Sequence, residues 1–162
     1  MNKPLRTLAL LASLVLAGAA QAQVPPQGNA DQESMLAAAD AHVAANKRLV
    51  YDFWREVFEG GHLEFADKYL AEGYIQHNPN VPTGRAAFVT FFGRFVKPKP
   101  VAARINAPLV AVVGEGDMVV LAFARENPDP KDPTRKYATT WFDMFRLEGG
   151  KIAEHWDPAL KQ

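Results

Sequence analysis

Cysteine is missing from all 162 residues. Disulfides therefore contribute nothing to stability in any compartment, and lipid attachment through a cysteine is excluded. An excess of either charge is missing too, since 18 Lys and Arg balance 18 Asp and Glu. Nucleic acids and anionic membrane surfaces both require clustered cations, so neither is expected as a partner. Lys97-Pro98-Lys99-Pro100 is too short, and too broken by proline, to alter that. The chain also lacks an apolar run of about 20 residues, the length a membrane-spanning helix needs. Leu8 to Ala17 is shorter and leads into Gln, Pro and Gly. Internal repeats, low-complexity tracts and heptads are absent as well.

What is present begins with a leader. Lys3 and Arg6, then Leu8 to Ala17, then Ala20-Gln21-Ala22 follow the order of a secretory signal peptide over residues 1–22, with cleavage expected after Ala22. A periplasmic or secreted location follows, with no membrane association after cleavage. Losing Lys3 and Arg6 leaves a slightly acidic chain from Gln23 to Gln162, the size of one domain. Residues 23–30 are polar and expected to be disordered, and residues 31–162 are expected to fold as that domain.

Gln32 to Glu59 lacks Pro and Gly and repeats apolar residues at helical spacing, which predicts a long helix ending at Gly60-Gly61. His62 to Leu70 predicts a second helix broken by Gly73, and Tyr74 to His77 a short strand before Asn78-Pro79. Arg85 to about Val96 predicts a third helix with Phe88, Phe91, Phe92 and Phe95 along one stripe. Strands are expected over Arg104–Val113, Met118–Glu126, Tyr137–Leu147 and Lys151–Asp157, with a loop over Asn127–Thr134. Helices followed by a meander of strands mean an α+β fold, three helices laid on a curved, mostly antiparallel sheet that leaves a cone open at one end. Phe142 and Met144 are apolar on the face opposite Trp141 and Phe145, so the outer sheet face is expected to form a homodimer.

The clearest hairpin turns at Gly149-Gly150. Side chains alternate across a strand, so Trp141, Asp143 and Phe145 share one face, and Ala153, His155 and Asp157 share one face of the next strand. If those faces coincide, two carboxylates and an imidazole meet among aromatic rings, where pKa values move and proton transfer becomes possible.

The segments Tyr74-Ile75-Gln76-His77-Asn78-Pro79, Thr83-Gly84-Arg85-Ala86-Ala87-Phe88 and Gly150-Lys151-Ile152-Ala153-Glu154-His155-Trp156-Asp157, in this element order, resemble the SnoaL-like polyketide cyclase family of the nuclear transport factor 2-like superfamily. The resemblance runs from about Ala38 to Asp157. It implies a cone-shaped α+β domain and intramolecular aldol condensation without metal or organic cofactor. It also implies a general acid/base aspartate at the end of the last strand, which falls on Asp157. The family's pocket histidine on the preceding strand falls on Asp143, a departure, while its asparagine before a proline falls on Asn78, which agrees. The superfamily's ketosteroid isomerases carry an aspartate there, and Asn78 cannot accept a proton.

These residues lead to the expectation that Asp157 acts as base, with His155 or His77 relaying or tuning its proton. Asn78, His77 and Tyr74 are the candidates to donate to the carbonyl oxygen, while Asp143, Trp141, Phe145, Trp156 and Phe92 complete a pocket for a small apolar carbonyl ligand. No cofactor is expected. His77, His155, Asp143 and Asp157 include a two-His-plus-carboxylate set, yet none has the close helical histidine spacing of a convincing metal site, so no metal is expected. A second reading stays open: a non-enzymatic periplasmic binding protein that holds a hydrophobic small molecule in the same cone. Secretion weighs toward it, because polyketide intermediates are made in the cytoplasm.

Overall fold

The computed structural model describes residues 24–162, so the leader expected over residues 1–22 lies outside the described residues. Residues 24–30 carry no helix or strand, although Asn29 N–H donates to Leu109 O at 2.7 Å and so ties their end to the domain. Helix α1 spans Ala41–Phe53 and continues as a wider π-helical turn, Trp54–Glu59. A single turn, Leu63–Phe65, leads into the short helix α2, Ala66–Tyr69. Strand β1 is Leu70–Gln76, helix α3 Arg85–Phe92, and strands β2 Leu109–Glu115, β3 Met118–Asp129, β4 Asp132–Glu148 and β5 Lys151–Trp156 follow. The fold is α+β. The sheet order is β1-β5-β4-β3-β2, antiparallel throughout except for β1, which runs parallel to β5. Among the described residues no helix is long and apolar enough to cross a membrane.

The first helix starts nine residues later than its apolar spacing suggests. Asp40 caps it, its carboxylate accepting from His42 N–H at 2.7 Å and Val43 N–H at 3.3 Å, and a cap of this kind fixes where a helix begins. At the other end the π-helical turn closes with Gly60 N–H donating to Arg55 O at 3.0 Å. A Cβ on Gly60 would lie 2.5 Å from Glu56 O, so only glycine allows that closure.

Gly73 does not stop the second helix; β1 already begins at Leu70 and runs through it. The pairing of β1 with β5 shifts register between Leu70 and Ile75, and a glycine suits such an irregularity. The expected loop over residues 127–134 is instead a continuous two-stranded ribbon, with Asn127 opposite Tyr137 and Pro128 opposite Lys136. Asp129 Oδ1 accepts Lys131 N–H at 2.8 Å and Asp132 Oδ1 accepts Thr134 N–H at 3.1 Å, so side chains shape the turn. The strand expected from Arg104 starts at Leu109 because residues 105–107 spend their backbone N–H groups on Gln32, Tyr51 and Glu59.

The helices cover one sheet face. Val50, Phe53, Val57, Tyr69, Phe88, Leu121, Phe145 and Ile152 bury themselves between the layers, and burying side chains of this size gives about 1.5–3 kcal/mol each.

Candidate active site

One end of the interlayer space is not filled. A cavity of about 380 Å³ is lined there by Phe53, Trp54, Phe58, Tyr74, Gln76, Asn78, Val81, Phe88, Phe92, Arg125, Trp141, Asp143, Phe145, His155 and Asp157. That volume lies in the range, about 300–1,000 Å³, of pockets that take small molecules. The π-helical turn contributes Trp54 and Phe58, whose rings lie 4.4 Å apart, and Trp54 stacks on Phe123 at 4.6 Å.

Strand alternation delivers the polar groups. Phe145 lies opposite His155, and the carboxylates of Asp143 and Asp157 and the His155 imidazole offer atoms all within 4.8 Å of one another. His155 Nε2 is 3.0 Å from Asp143 Oδ1, and His155 Nδ1 is 2.9 Å from Gln76 Oε1. Gln76 Oε1 also accepts the backbone N–H of Asn78 at 3.0 Å, and its Nε2 donates to the Tyr74 hydroxyl at 3.0 Å. A backbone N–H can only donate, so the Gln76 amide orientation is fixed and His155 Nδ1 must carry a hydrogen. The mobile proton of this chain therefore sits between His155 Nε2 and Asp143.

Burial raises the Asp143 carboxyl above the usual carboxylate range, the bond to His155 pulls it back, and the neighbouring Asp157 charge adds to the rise. Its Oδ2 is buried with no partner among the described residues. Burial also pushes the Tyr74 hydroxyl up, aided by the charges of Asp157 and Asp143, so it stays a neutral donor. Asp157 lies one residue past β5, its Oδ2 accepting Asn78 Nδ2–H at 2.7 Å and its Oδ1 accepting Ala159 N–H at 2.8 Å.

Tyr74, Asn78, Asp143, Trp141, Phe145, Phe92, His155 and Asp157 are thus brought around one cavity. His77 and Trp156 are not, which corrects the expectation for both. They stack on each other at 4.6 Å away from the lining, and His77 Nε2 bonds Glu154 Oε2 at 2.9 Å. Parity is the reason: His77 falls between the inward Gln76 and Asn78, and Trp156 between the inward His155 and Asp157. Gln76 and Arg125 escaped the sequence reading, although each shares the parity of its inward neighbours. Asp143, His155 and Asp157 are also the donor set on which a cation could sit, and hydrogen bonds already engage all their polar atoms except Asp143 Oδ2.

Residues 50–155 match the SnoaL-like domain, a span from within α1 to the inward histidine of β5. The chain belongs to that family. The SnoaL-like domain shares its fold with solved structures of low sequence identity. A proposed SnoaL-like polyketide cyclase from Jannaschia sp. CCS1 is 15% identical over 75% of this chain and 91% of its own, with a TM-score of 0.50. TsrD from Streptomyces laurentii is 22% identical over 74% of this chain and 90% of its own, at 0.46. A proposed polyketide cyclase from Acidithiobacillus ferrooxidans is 19% identical over 70% and 86%, also at 0.46. No curated protein matches the sequence significantly.

Proposed function

We propose that this SnoaL-like domain carries out cofactor-free acid/base chemistry on an apolar carbonyl compound, aldol cyclisation or a related lyase or isomerase step. The single observation that carries the reading is the Asp157 carboxylate at an aromatic cavity that also contains the neutral Tyr74 hydroxyl. The polyketide cyclase name of the Jannaschia relative agrees with it. Asp157 removes a proton from the carbon next to the ligand carbonyl, and the electron pair moves onto the carbonyl oxygen. Tyr74 accepts from Gln76 Nε2 and has no acceptor for its own hydrogen among the described residues, so it donates to that oxygen. The enolate carbon then bonds to a second carbonyl carbon of the same molecule, and the resulting alkoxide takes the proton back from Asp157. His155 and Asp143 position the Gln76 amide that orients Tyr74 and Asn78.

The test is α-deuterium exchange of 2-acetylnaphthalene in D2O, followed by proton NMR. Loss of a general base removes about 10²–10⁴-fold in rate, so Asp157→Asn should slow exchange by that order. Undiminished exchange rules Asp157 out as the base.

A specific observation favours the binding-protein reading as the alternative. Both Asp157 oxygens already accept hydrogen bonds, from Asn78 and from Ala159, so one of these contacts has to give way before the carboxylate can take a ligand proton. A protein that binds the naphthyl ketone but exchanges none of its α-protons is such a binder.

A further inference from the structure

Arg125 is the one Lys or Arg in the cavity lining among the described residues, and it pairs with a residue four positions along β4 from Asp143, beside which Asp157 sits. Arg125 sits on β3 across from Thr139, on the same face as Phe123 and Leu121, which pair with Trp141 and Asp143. Its guanidinium lies 4.1 Å from the centre of the Trp141 ring. The neighbouring cations of the outer face are spoken for: Lys136 Nζ is 3.1 Å from Glu126 Oε2, and Arg146 Nε is 2.6 Å from Glu154 Oε1. Arg125 has no carboxylate partner among the described residues, and its exposed side chain, with a planar fork of donors, forms part of the cavity lining. Nearby, Trp54 also lines the cavity, and its buried indole N–H has no acceptor among the described residues.

We infer that the ligand is an apolar oxo acid, whose carboxylate is held by Arg125 at the mouth while its carbonyl reaches Tyr74 and Asp157 at the inner end. This deepens the reading above and rests on it for the position of the carbonyl. The charges set the direction. The Asp157 carboxylate repels an anionic group from the inner end, and Arg125 is the group that receives one. The sheet sets the length. Trp141, on which the guanidinium rests, is two residues from Asp143 along β4, about 7 Å at roughly 3.3 Å per residue, and Arg125 itself is opposite a residue four away, about 13 Å. Carboxylate and carbonyl are therefore separated by about 7–13 Å of apolar scaffold, over which Trp54, Phe58, Phe88 and Phe92 supply the walls.

The probes are 6-acetyl-2-naphthoate and its methyl ester, matched in shape and differing in charge, titrated against the whole protein by calorimetry. A charge-assisted, forked hydrogen bond predicts that the acid binds about tenfold tighter than the ester at low salt, with the gap narrowing in high salt. Arg125→Gln should weaken acid binding until it equals that of the ester, and thermal unfolding of the variant confirms that it is folded. Equal affinities in the native protein, a preference that survives Arg125→Gln, or no binding of either probe at millimolar concentration overturns the inference. Deuterium exchange at the acetyl group separates this result from the catalytic reading. Acid preference without exchange leaves the carboxylate subsite standing and removes the base, whereas exchange without acid preference does the reverse.

Discussion

Asp143 Oδ1 and His155 Nε2 face each other at 3.0 Å, and because His155 Nδ1 donates to Gln76, the contact between them holds one proton. Burial makes a bare Asp143 carboxylate costly, so its folded pKa is raised above the ordinary unfolded value of about 4. A group with a raised folded pKa stabilises the fold fully below its unfolded value, and that contribution is lost as pH rises through the folded value. Asp143→Asn supplies an amide N–H to His155 Nε2 at every pH. The variant's melting temperature should therefore gain on the native protein's as pH climbs from about 5 to about 9. Thermal scans measure this, and parallel curves across that range would show that Asp143 is not the titrating partner.

Gln76 connects three site residues through one amide, with Oε1 accepting from His155 and from the Asn78 backbone while Nε2 donates to Tyr74. Gln76→Leu keeps the volume and strands those groups in a buried setting. Each buried polar group left without a partner costs about 1–3 kcal/mol, so a loss of a few kcal/mol is expected in chemical denaturation. The variant should also release the His155 tautomer. Nitrogen-15 NMR of the imidazole reads this directly: Nδ1 protonated in the native protein, a mixture of tautomers in Gln76→Leu.

Strand parity made much of this site legible. Trp141, Asp143 and Phe145 on β4, and His155 and Asp157 at β5, converge as alternation requires, and the glycines at the β4–β5 turn, with φ of 57° at Gly149 and 73° at Gly150, give the hairpin its register. The same rule, applied strictly, includes Gln76 and excludes His77 and Trp156, so those errors came from weighing residue chemistry above parity. Arg125 lies within the strand expected over Met118–Glu126 and on the parity of Phe123, so the same rule includes it, while the prolines after it suggested a loop where the β3–β4 ribbon continues. What alternation could not reveal is the π-helical turn at Trp54–Glu59. Its spacing is neither helical nor extended, and it depends on backbone closure at Gly60 rather than on a side-chain pattern.

Tyr74→Phe separates the proposed oxyanion donor from the wall of the cavity. The ring of Tyr74 packs edge-on against Phe88 at 5.9 Å, a contact that phenylalanine keeps. Only the hydroxyl goes, and Gln76 Nε2 loses its acceptor. Removing one preorganised donor to a developing oxyanion costs about 10²–10³-fold in rate, so deuterium exchange should fall by that order while naphthyl ketone affinity changes little. Exchange at the native rate would assign enolate stabilisation to another group.

On the outer sheet face Val120, Met144 and Trp156 form one row across β3, β4 and β5, with Phe142 beside it and paired to Ala122. Phe142 is 51% exposed, a large ring held in water beside an apolar row. A second copy of the chain laid on this face would cover it, and a stable interface of this kind hides about 800 Å² on each partner. Phe142→Glu puts a charge at the centre of that contact while leaving the cavity side of β4 untouched. The native protein is expected to sediment as a dimer at micromolar concentration and Phe142→Glu as a folded monomer, with equal deuterium exchange per chain, since the cavity lining includes no residue of this row. A native protein that sediments as a monomer would sink the dimer, and a dimer that persists in the variant would move the interface elsewhere.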